Sequence, residues 1–276
     1  MQAGDATTLR NGTPRPSTNR EEDNMRGRVA LVTGASSGIG RAAVAELCRR
    51  GARVMAVARR EHLLAELAAE TGASYFACSL ETRDGCEQAV EATRSQLGPV
   101  GILVNNAALG EGQDGSVLDL EWDTWRRTLN LDLDVPFLLT KLAAADMISS
   151  GWGRIVMVSS TAGQVGGAQM AAYCAAKHGL LGLMRATAVD LARHQVTCNA
   201  VLPGWVRTEM SERSAQRESA QTGIPVEQIW AERARSYPAG RTITPAEVAA
   251  SIAFLASEEA SGVNGQALAV SLGGLW

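Results

Sequence analysis

The chain has 276 residues, 46% of them hydrophobic and 20% charged, with a formal net charge of -3. That length and balance suit one globular unit with a sizeable core rather than a disordered chain. A faintly acidic chain with no long basic run argues against a nucleic-acid partner, and no apolar stretch reaches the ~18 residues that cross a bilayer, so no membrane partner is expected either.

Residues 1–24 are rich in Thr, Ser, Asn, Gly, Pro and charge, with almost nothing apolar to bury, and read as a disordered leader without the apolar centre of a secretory signal. From Arg28 onward, short apolar runs alternate with longer Ala/Leu/Arg/Glu stretches. Strands are expected at Val29–Val32, Val54–Val57, Ser74–Ala77, Ile102–Val104, Ile155–Val158, Thr197–Leu202 and Ala267–Val270. Each is almost continuously apolar, as parallel strands covered on both faces are. Helices are expected at Ile39–Arg50, Glu61–Thr71, Arg83–Leu97, Trp122–Ser149, Ala171–Arg193 and Ala246–Ser257. Thr244-Pro245 with Glu247 three residues after the threonine is a helix-start signal, and Gly51 after Arg49-Arg50 a stop. The alternation predicts βαβ units in one parallel sheet, helices on both faces, within a single domain over 25–276.

The first strand runs straight into Gly34-Ala-Ser-Ser-Gly38-Ile39-Gly40 and then a helix. Glycines there allow a tight turn and close backbone approach, and the helix N-terminus offers unpaired N–H groups to an anion. In that context the segment, with Ser36 and Ser37, is a candidate dinucleotide cradle. An acidic residue at the end of the second strand would take the ribose hydroxyls of NAD. The chain instead has Ala58 followed by Arg59-Arg60. A guanidinium suits a 2′-phosphate, so NADP(H) is expected, with Arg59 as its main contact and Arg60 beside it.

Tyr173-Cys-Ala-Ala-Lys177 opens an apolar helix and puts a phenol and an ammonium on one face. The cation favours phenolate, which turns a group with an ordinary pKa near ~10 into a usable acid/base. Ser160 lies 13 residues before Tyr173, just past a strand, where its hydroxyl could meet a substrate carbonyl. Ser159 is its rival, and strand alternation sends only one of the two into the site. His62, His178 and His194 read as structural or surface residues. The five cysteines are irregularly spaced without a CxxC pair, which suits small apolar residues in a reduced cytoplasm.

Taken together, these motifs resemble the short-chain dehydrogenase/reductase family over nearly all of the chain from Met25 onward. The carriers are Thr33–Gly40 (TGxxxGIG), Asn105-Asn106-Ala107-Ala108 (NNAG with Ala for Gly), Asn130 in Leu-Asn-Leu, the Ser160/Tyr173/Lys177 set and Pro203-Gly204-Trp205-Val206-Arg207-Thr208 (PGxVxT). The resemblance implies a Rossmann-type, doubly wound α/β fold with a seven-stranded parallel sheet. It also implies a hydride exchange between a nicotinamide dinucleotide and a carbonyl/alcohol pair. Tyr173 would move the proton, Lys177 would lower the tyrosine pKa and bind ribose hydroxyls, and Ser160 would polarise the carbonyl. Asn130 would hold a water that relays protons through Lys177. Pro203 to Val206 with the Thr208 hydroxyl would seat the nicotinamide amide. Asn105 would fix the fourth strand and border the adenine side, near Asn106, Ala107 and Ala108. Ser79-Leu80 stands where the family often has an Asp, so the adenine contact there would be a hydroxyl or be lost.

The segment 203–241 breaks the rhythm at the carboxyl edge of the sheet and is expected to be a substrate lid. Its Met210, Ile224, Val226 and Trp230 would suit an apolar ketone. Its arginines, alternating with glutamates, read as a solvated face. The layout is most like 3-oxoacyl carrier-protein and polyketide ketoreductases. Sugar, steroid or 3-hydroxy-acid dehydrogenation with NAD is the second expectation, and non-catalytic NADP(H) sensing the third. The family resemblance also implies a homotetramer packing Trp122–Ser149, Ala171–Arg193 and the tail through Trp276.

Overall fold

Apolar runs become strands and Ala/Leu-rich runs become helices throughout residues 25–110 and 115–274, the part of the chain that the computed structural model describes. The expected leader and the last tail residues lie outside the described residues. The strands are β1 (Val29–Thr33), β2 (Arg53–Ala58), β3 (Ser74–Ala77), β4 (Ile102–Asn105), β5 (Gly153–Val158), β6 (Val196–Pro203) and β7 (Ala267–Val270). They pair in parallel in the order β3-β2-β1-β4-β5-β6-β7. The order reverses between β1 and β4, which opens a crevice at their carboxyl ends, the usual ligand site of open α/β sheets.

Strand alternation divides the interior into two cores. Ala30, Val32, Val54, Ala56, Ile102 and Val104 point to one face. That face is covered by α1 (Gly38–Arg49), α2 (Glu61–Thr71) and α9 (Pro245–Leu255). Leu31, Met55, Val57, Leu103, Ile155 and Met157 point to the other. There α3 (Arg83–Leu97), α5 (Val135–Ser150) and α6 (Ala171–Leu191) cover them. This period of two is what a sheet buried on both faces requires.

The start signal of α9 works as expected. Thr244 Oγ1 accepts from Glu247 N–H, and Glu247 Oε2 accepts from Thr244 N–H at 2.8 Å. The expected helix Trp122–Ser149 is not one helix. It is α4 (Trp122–Leu129), a π turn (Asn130–Asp134) and α5. Helical periodicity runs through the break, and the one-residue widening leaves no trace in the apolar pattern.

The excursion after β6 closes on itself. Trp205 N–H donates to Tyr237 Oη at 2.5 Å, and Ile243 N–H donates to the Trp205 carbonyl at 3.0 Å. Between those ends lie α7 (Glu209–Thr222) and α8 (Val226–Arg235). Their small core of Ala215, Ile229 and Trp230 is separate from the two main ones. Among the described residues, no helix is long and apolar enough to cross a membrane.

Candidate active site

The switch point is stitched by two side chains. Thr33 Oγ1 at the end of β1 donates to the Val104 carbonyl and accepts from the Asn106 and Ala107 N–H groups, each at 3.0 Å. Asn106 Nδ2 returns the tie by donating to the Thr33 carbonyl at 2.9 Å. Gly34 follows with φ +65, and a Cβ there would lie 2.8 Å from Asn106 Nδ2. Neither that φ nor that approach admits a side chain. Asn105, expected beside the adenine, points the other way: it is buried, and its Nδ2 donates to Thr140 Oγ1 at 3.3 Å. Asn106, not Asn105, lines the crevice.

The turn delivers the N-terminus of α1 into the crevice. Ser37, its N-cap, makes no side-chain capping bond, and the first turn holds no acidic residue. Its N–H end is therefore available to an anion. Gly34, Ser36, Ser37, Gly38 and Ile39 line the crevice, whose cavity volume is about 410 Å³. Gly40 does not line it. It lies behind the turn, where a Cβ would strike the Gly34 carbonyl oxygen.

At the end of β2 the two arginines part. Arg59 reaches outward and donates to Glu81 Oε1 at 3.3 Å, with its side chain 63% exposed. Arg60 turns back over the glycine turn. Its Nη2 donates to Ser37 Oγ at 2.8 Å and to Ser36 Oγ at 3.1 Å, and its Nη1 donates to Glu209 Oε2 at 2.7 Å. The convergence of a guanidinium and two hydroxyls is at Arg60, whereas Arg59, the expected main phosphate contact, makes neither serine bond. Hydrogen bonding from Arg60 holds the Glu209 carboxyl below its ordinary range. Both arginines line the crevice, as do Ser79 and Leu80. Ser79 Oγ accepts from Glu81 N–H at 3.4 Å, and Glu81 is itself held below the usual carboxylate range by hydrogen bonding from Arg127. Cys78 is also there, its thiol pushed up to about 11 by burial and so a poor nucleophile.

Across the crevice, α6 presents Tyr173 and Lys177, which are 6% and 3% exposed. Both line the same cavity as the glycine turn, with Lys177 Nζ 5.4 Å from the Tyr173 ring centroid. The two serines after β5 divide their work. Ser159 Oγ donates to the Lys177 carbonyl at 3.1 Å, pinning the strand end to α6. Ser160 Oγ accepts from Ala162 N–H at 3.1 Å, which leaves its own proton for another acceptor. Asn130 does not line the cavity. Its Nδ2 donates to the Glu81 carbonyl at 2.9 Å. The group beside the ammonium is a residue that sequence reasoning passed over, Asp132, whose Oδ2 is 3.4 Å from Lys177 Nζ. A lone acid within the apolar run Leu131-Asp132-Leu133 was its only visible signal.

Pro203, Gly204, Val206 and Thr208 line the cavity's far wall, and Ala107 and Ala108 its near wall. Met210 at the start of α7 also lines it and reaches Gly110 (φ +84), where a Cβ would strike that thioether. Two expectations for the lid fail. Trp230 is 4% exposed inside the lid's own core and does not line the crevice. Arg233 is no solvated charge. It is 8% exposed, stacks on Trp205 at 3.8 Å and Trp230 at 4.9 Å, and pairs with Glu218 at 2.8 Å.

The donor set fits a dinucleotide: an uncapped helix N-terminus, close-approach glycines, and a guanidinium with two hydroxyls beside them. Among the described residues, no group of three His, Cys, Asp or Glu side chains could hold a metal ion.

Known proteins share this fold and much of this sequence. A family model described as enoyl-(acyl carrier protein) reductase matches residues 34–274. The chain is 34% identical to D-beta-hydroxybutyrate dehydrogenase of Cupriavidus necator, over 87% of this chain and 95% of that protein. It is 35% identical to the 3-oxoacyl-(acyl-carrier-protein) reductase FabG of Salmonella typhimurium, over 92% and 99%. Among solved structures, an actinorhodin polyketide ketoreductase variant with NADPH superposes with a TM-score of 0.84 at 36% identity, over 90% of this chain and 98% of that one.

Proposed function

Because the chain belongs to the short-chain dehydrogenase/reductase family, whose members act on CH–OH/C=O groups, we propose that it reduces a ketone to a secondary alcohol, or runs the reverse, with NADP(H) as cofactor. The ketone is a 3-oxoacyl compound or another carbonyl small molecule. One observation carries the reading: Tyr173, Lys177 and Ser160 open onto the same crevice as the glycine turn and Arg60.

When bound, the dinucleotide supplies or accepts the hydride. The chain does the rest by placement and charge. The α1 N-terminus and the glycine turn would hold the pyrophosphate, and Arg60 with Ser36 and Ser37 would hold the 2′-phosphate, with Arg59 on the outer side. The Ser160 hydroxyl donates to the substrate oxygen and holds it against the Tyr173 phenol. Tyr173 gives that oxygen its proton in reduction and takes it back in oxidation. The Lys177 ammonium stabilises the phenolate that remains. The lid, with Met210 resting at Gly110, excludes water from the reacting atoms. Asn130 acts at one remove, by fixing the Glu81 backbone beside the crevice.

The test is a panel of 3-oxoesters, acetoacetyl-CoA and cyclic ketones with NADPH and NADH, followed by loss of reduced-nicotinamide absorbance. The C. necator relative favours a second reading, oxidation of a 3-hydroxy acid with NAD. Turnover of 3-hydroxybutyrate with NAD exceeding every ketone with NADPH would select it. A binding protein without turnover would leave the whole panel unconverted.

A homotetramer is proposed from Phe137 on α5, Val189 on α6 and Leu268 on β7, which are 53%, 78% and 38% exposed on the elements expected to pack between subunits. Sedimentation at the 29.1 kDa of one chain would exclude it. The five cysteines are free, which supports a reduced, cytoplasmic setting.

A further inference from the structure

We propose that Glu209, the first residue of α7, competes with the cofactor 2′-phosphate for Arg60 and so sets how strongly the crevice favours NADP(H) over NAD(H). The inference rests on the reading of Arg60 as the phosphate contact, and adds to it a specificity-determining residue from the lid. Arg60 Nη1 donates to Glu209 Oε1 at 2.9 Å and to Oε2 at 2.7 Å. Its Nε donates to Ser36 Oγ at 3.3 Å, and its Nη2 to Ser36 Oγ at 3.1 Å and Ser37 Oγ at 2.8 Å. Those contacts engage every N–H donor that a guanidinium has. A phosphate arriving from the crevice must therefore take donors from a partner already there. The serines can yield, because a hydroxyl released from Arg60 can rotate and donate to the phosphate itself. Glu209 is an acceptor only and carries charge of the phosphate's sign, so it contends for the same guanidinium.

The surroundings limit what the exchange costs. Arg213, one helical turn along α7, also donates to Glu209 Oε1, at 2.7 Å. A carboxylate released by Arg60 keeps that partner. Arg60 and Arg213 both line the crevice, whereas Glu209 lines a second cavity together with Arg41 and Arg207. Those two arginines are already held, Arg41 by Glu70 at 2.6 Å and Arg207 by Glu227 at 2.6 Å and Glu212 at 3.2 Å. The side chains of Arg60 and Glu209 are 38% and 45% exposed. An exposed pair of that kind is worth a factor of up to about five, less than a charge-assisted bidentate contact to a phosphate. Glu209 therefore weakens NADP(H) binding without abolishing it. NAD(H) has no phosphate to exchange, and leaves the first turn of the lid tied to the end of β2.

Binding titrations of the full chain test this without turnover. Glu209→Gln should lower the NADPH dissociation constant by about threefold and leave that for NADH within about 1.5-fold. Adenosine 2′,5′-bisphosphate and 5′-AMP, which differ only in the 2′-phosphate, should show the same contrast by calorimetry. Glu209→Ala is the second variant, since it leaves Arg60 no side-chain acceptor at that position. Arg60→Ala supplies the control: in that background Glu209→Gln should lose most of its effect on NADPH, because the contested guanidinium is gone. An equal gain with and without Arg60 would overturn the proposal, by showing plain repulsion between carboxylate and phosphate. So would an NADPH constant that neither Glu209 variant moves, or one that moves in step with NADH, as a merely structural Glu209 requires. Failure of the underlying reading looks different: with Glu209 in place, Arg60→Ala would weaken NADPH and NADH equally.

Discussion

Arg60 Nη2 donates to Ser37 Oγ at 2.8 Å, so the guanidinium at the end of β2 and the N-cap of α1 form one hydrogen-bonded unit over the glycine turn. Arg59, one residue earlier, is committed to Glu81. Arg60→Ala should raise the dissociation constant for NADPH by on the order of tenfold or more and change NADH binding little, because one charge-assisted contact to the extra phosphate is lost. Arg59→Ala should have a smaller effect. Fluorescence titration with both cofactors checks this. Equal weakening of NADPH and NADH by Arg60→Ala would show that Arg60 does not read the phosphate.

Arg233 holds the lid through stacking on two indoles and a pair with Glu218. Arg233→Ala should cost about 2 kcal/mol and lower Tm by about 5 °C, since it removes cation–π contacts and a mostly buried ion pair together. The ketone KM should rise with it. Arg83→Ala, which breaks the outward-facing pair with Glu87 on α3, should leave Tm unchanged. Calorimetry and limited proteolysis of the lid would test the pair of variants side by side.

Glu247 gives a pH signature. Hydrogen bonding from Arg241, then from Thr244, holds its carboxyl down at about 2 from an ordinary 4.5. A carboxyl depressed in the folded state stabilises the fold above the unfolded value, and that contribution fades as pH falls through the folded value. The Tm gap between wild type and Glu247→Gln should therefore be full above 4.5 and close as pH falls toward about 2. Thr244→Ala removes the other half of the cap and should cost about 1 kcal/mol. A gap that stays constant across that acid range would show that the capping carboxylate is not the cause.

The strands were legible because their burial on both faces demands continuous apolar runs, and α9 because its cap is local chemistry among Thr244, Pro245 and Glu247. The glycine turn and the Tyr173/Lys177 spacing were legible for the same reason: the neighbours that matter are a few residues away. What escaped depends on elements far apart in the chain. Nothing local tells which of Arg59 and Arg60 turns back, since the bend from β2 into α2 decides it. Arg233 looks like a surface charge until Trp205, from before the lid helices, is placed on its guanidinium. Asp132 becomes intelligible only when the π turn sets it against Lys177, 45 residues on.

The central claim is that the Tyr173 phenol exchanges the proton with the substrate oxygen. Tyr173→Phe keeps the ring and removes only the hydroxyl that carries that proton. With NADPH and whichever ketone the wild type reduces fastest, kcat should fall by about a hundredfold or more, while NADPH affinity stays within about twofold. A variant that reduces that ketone as fast as the wild type would contradict the account.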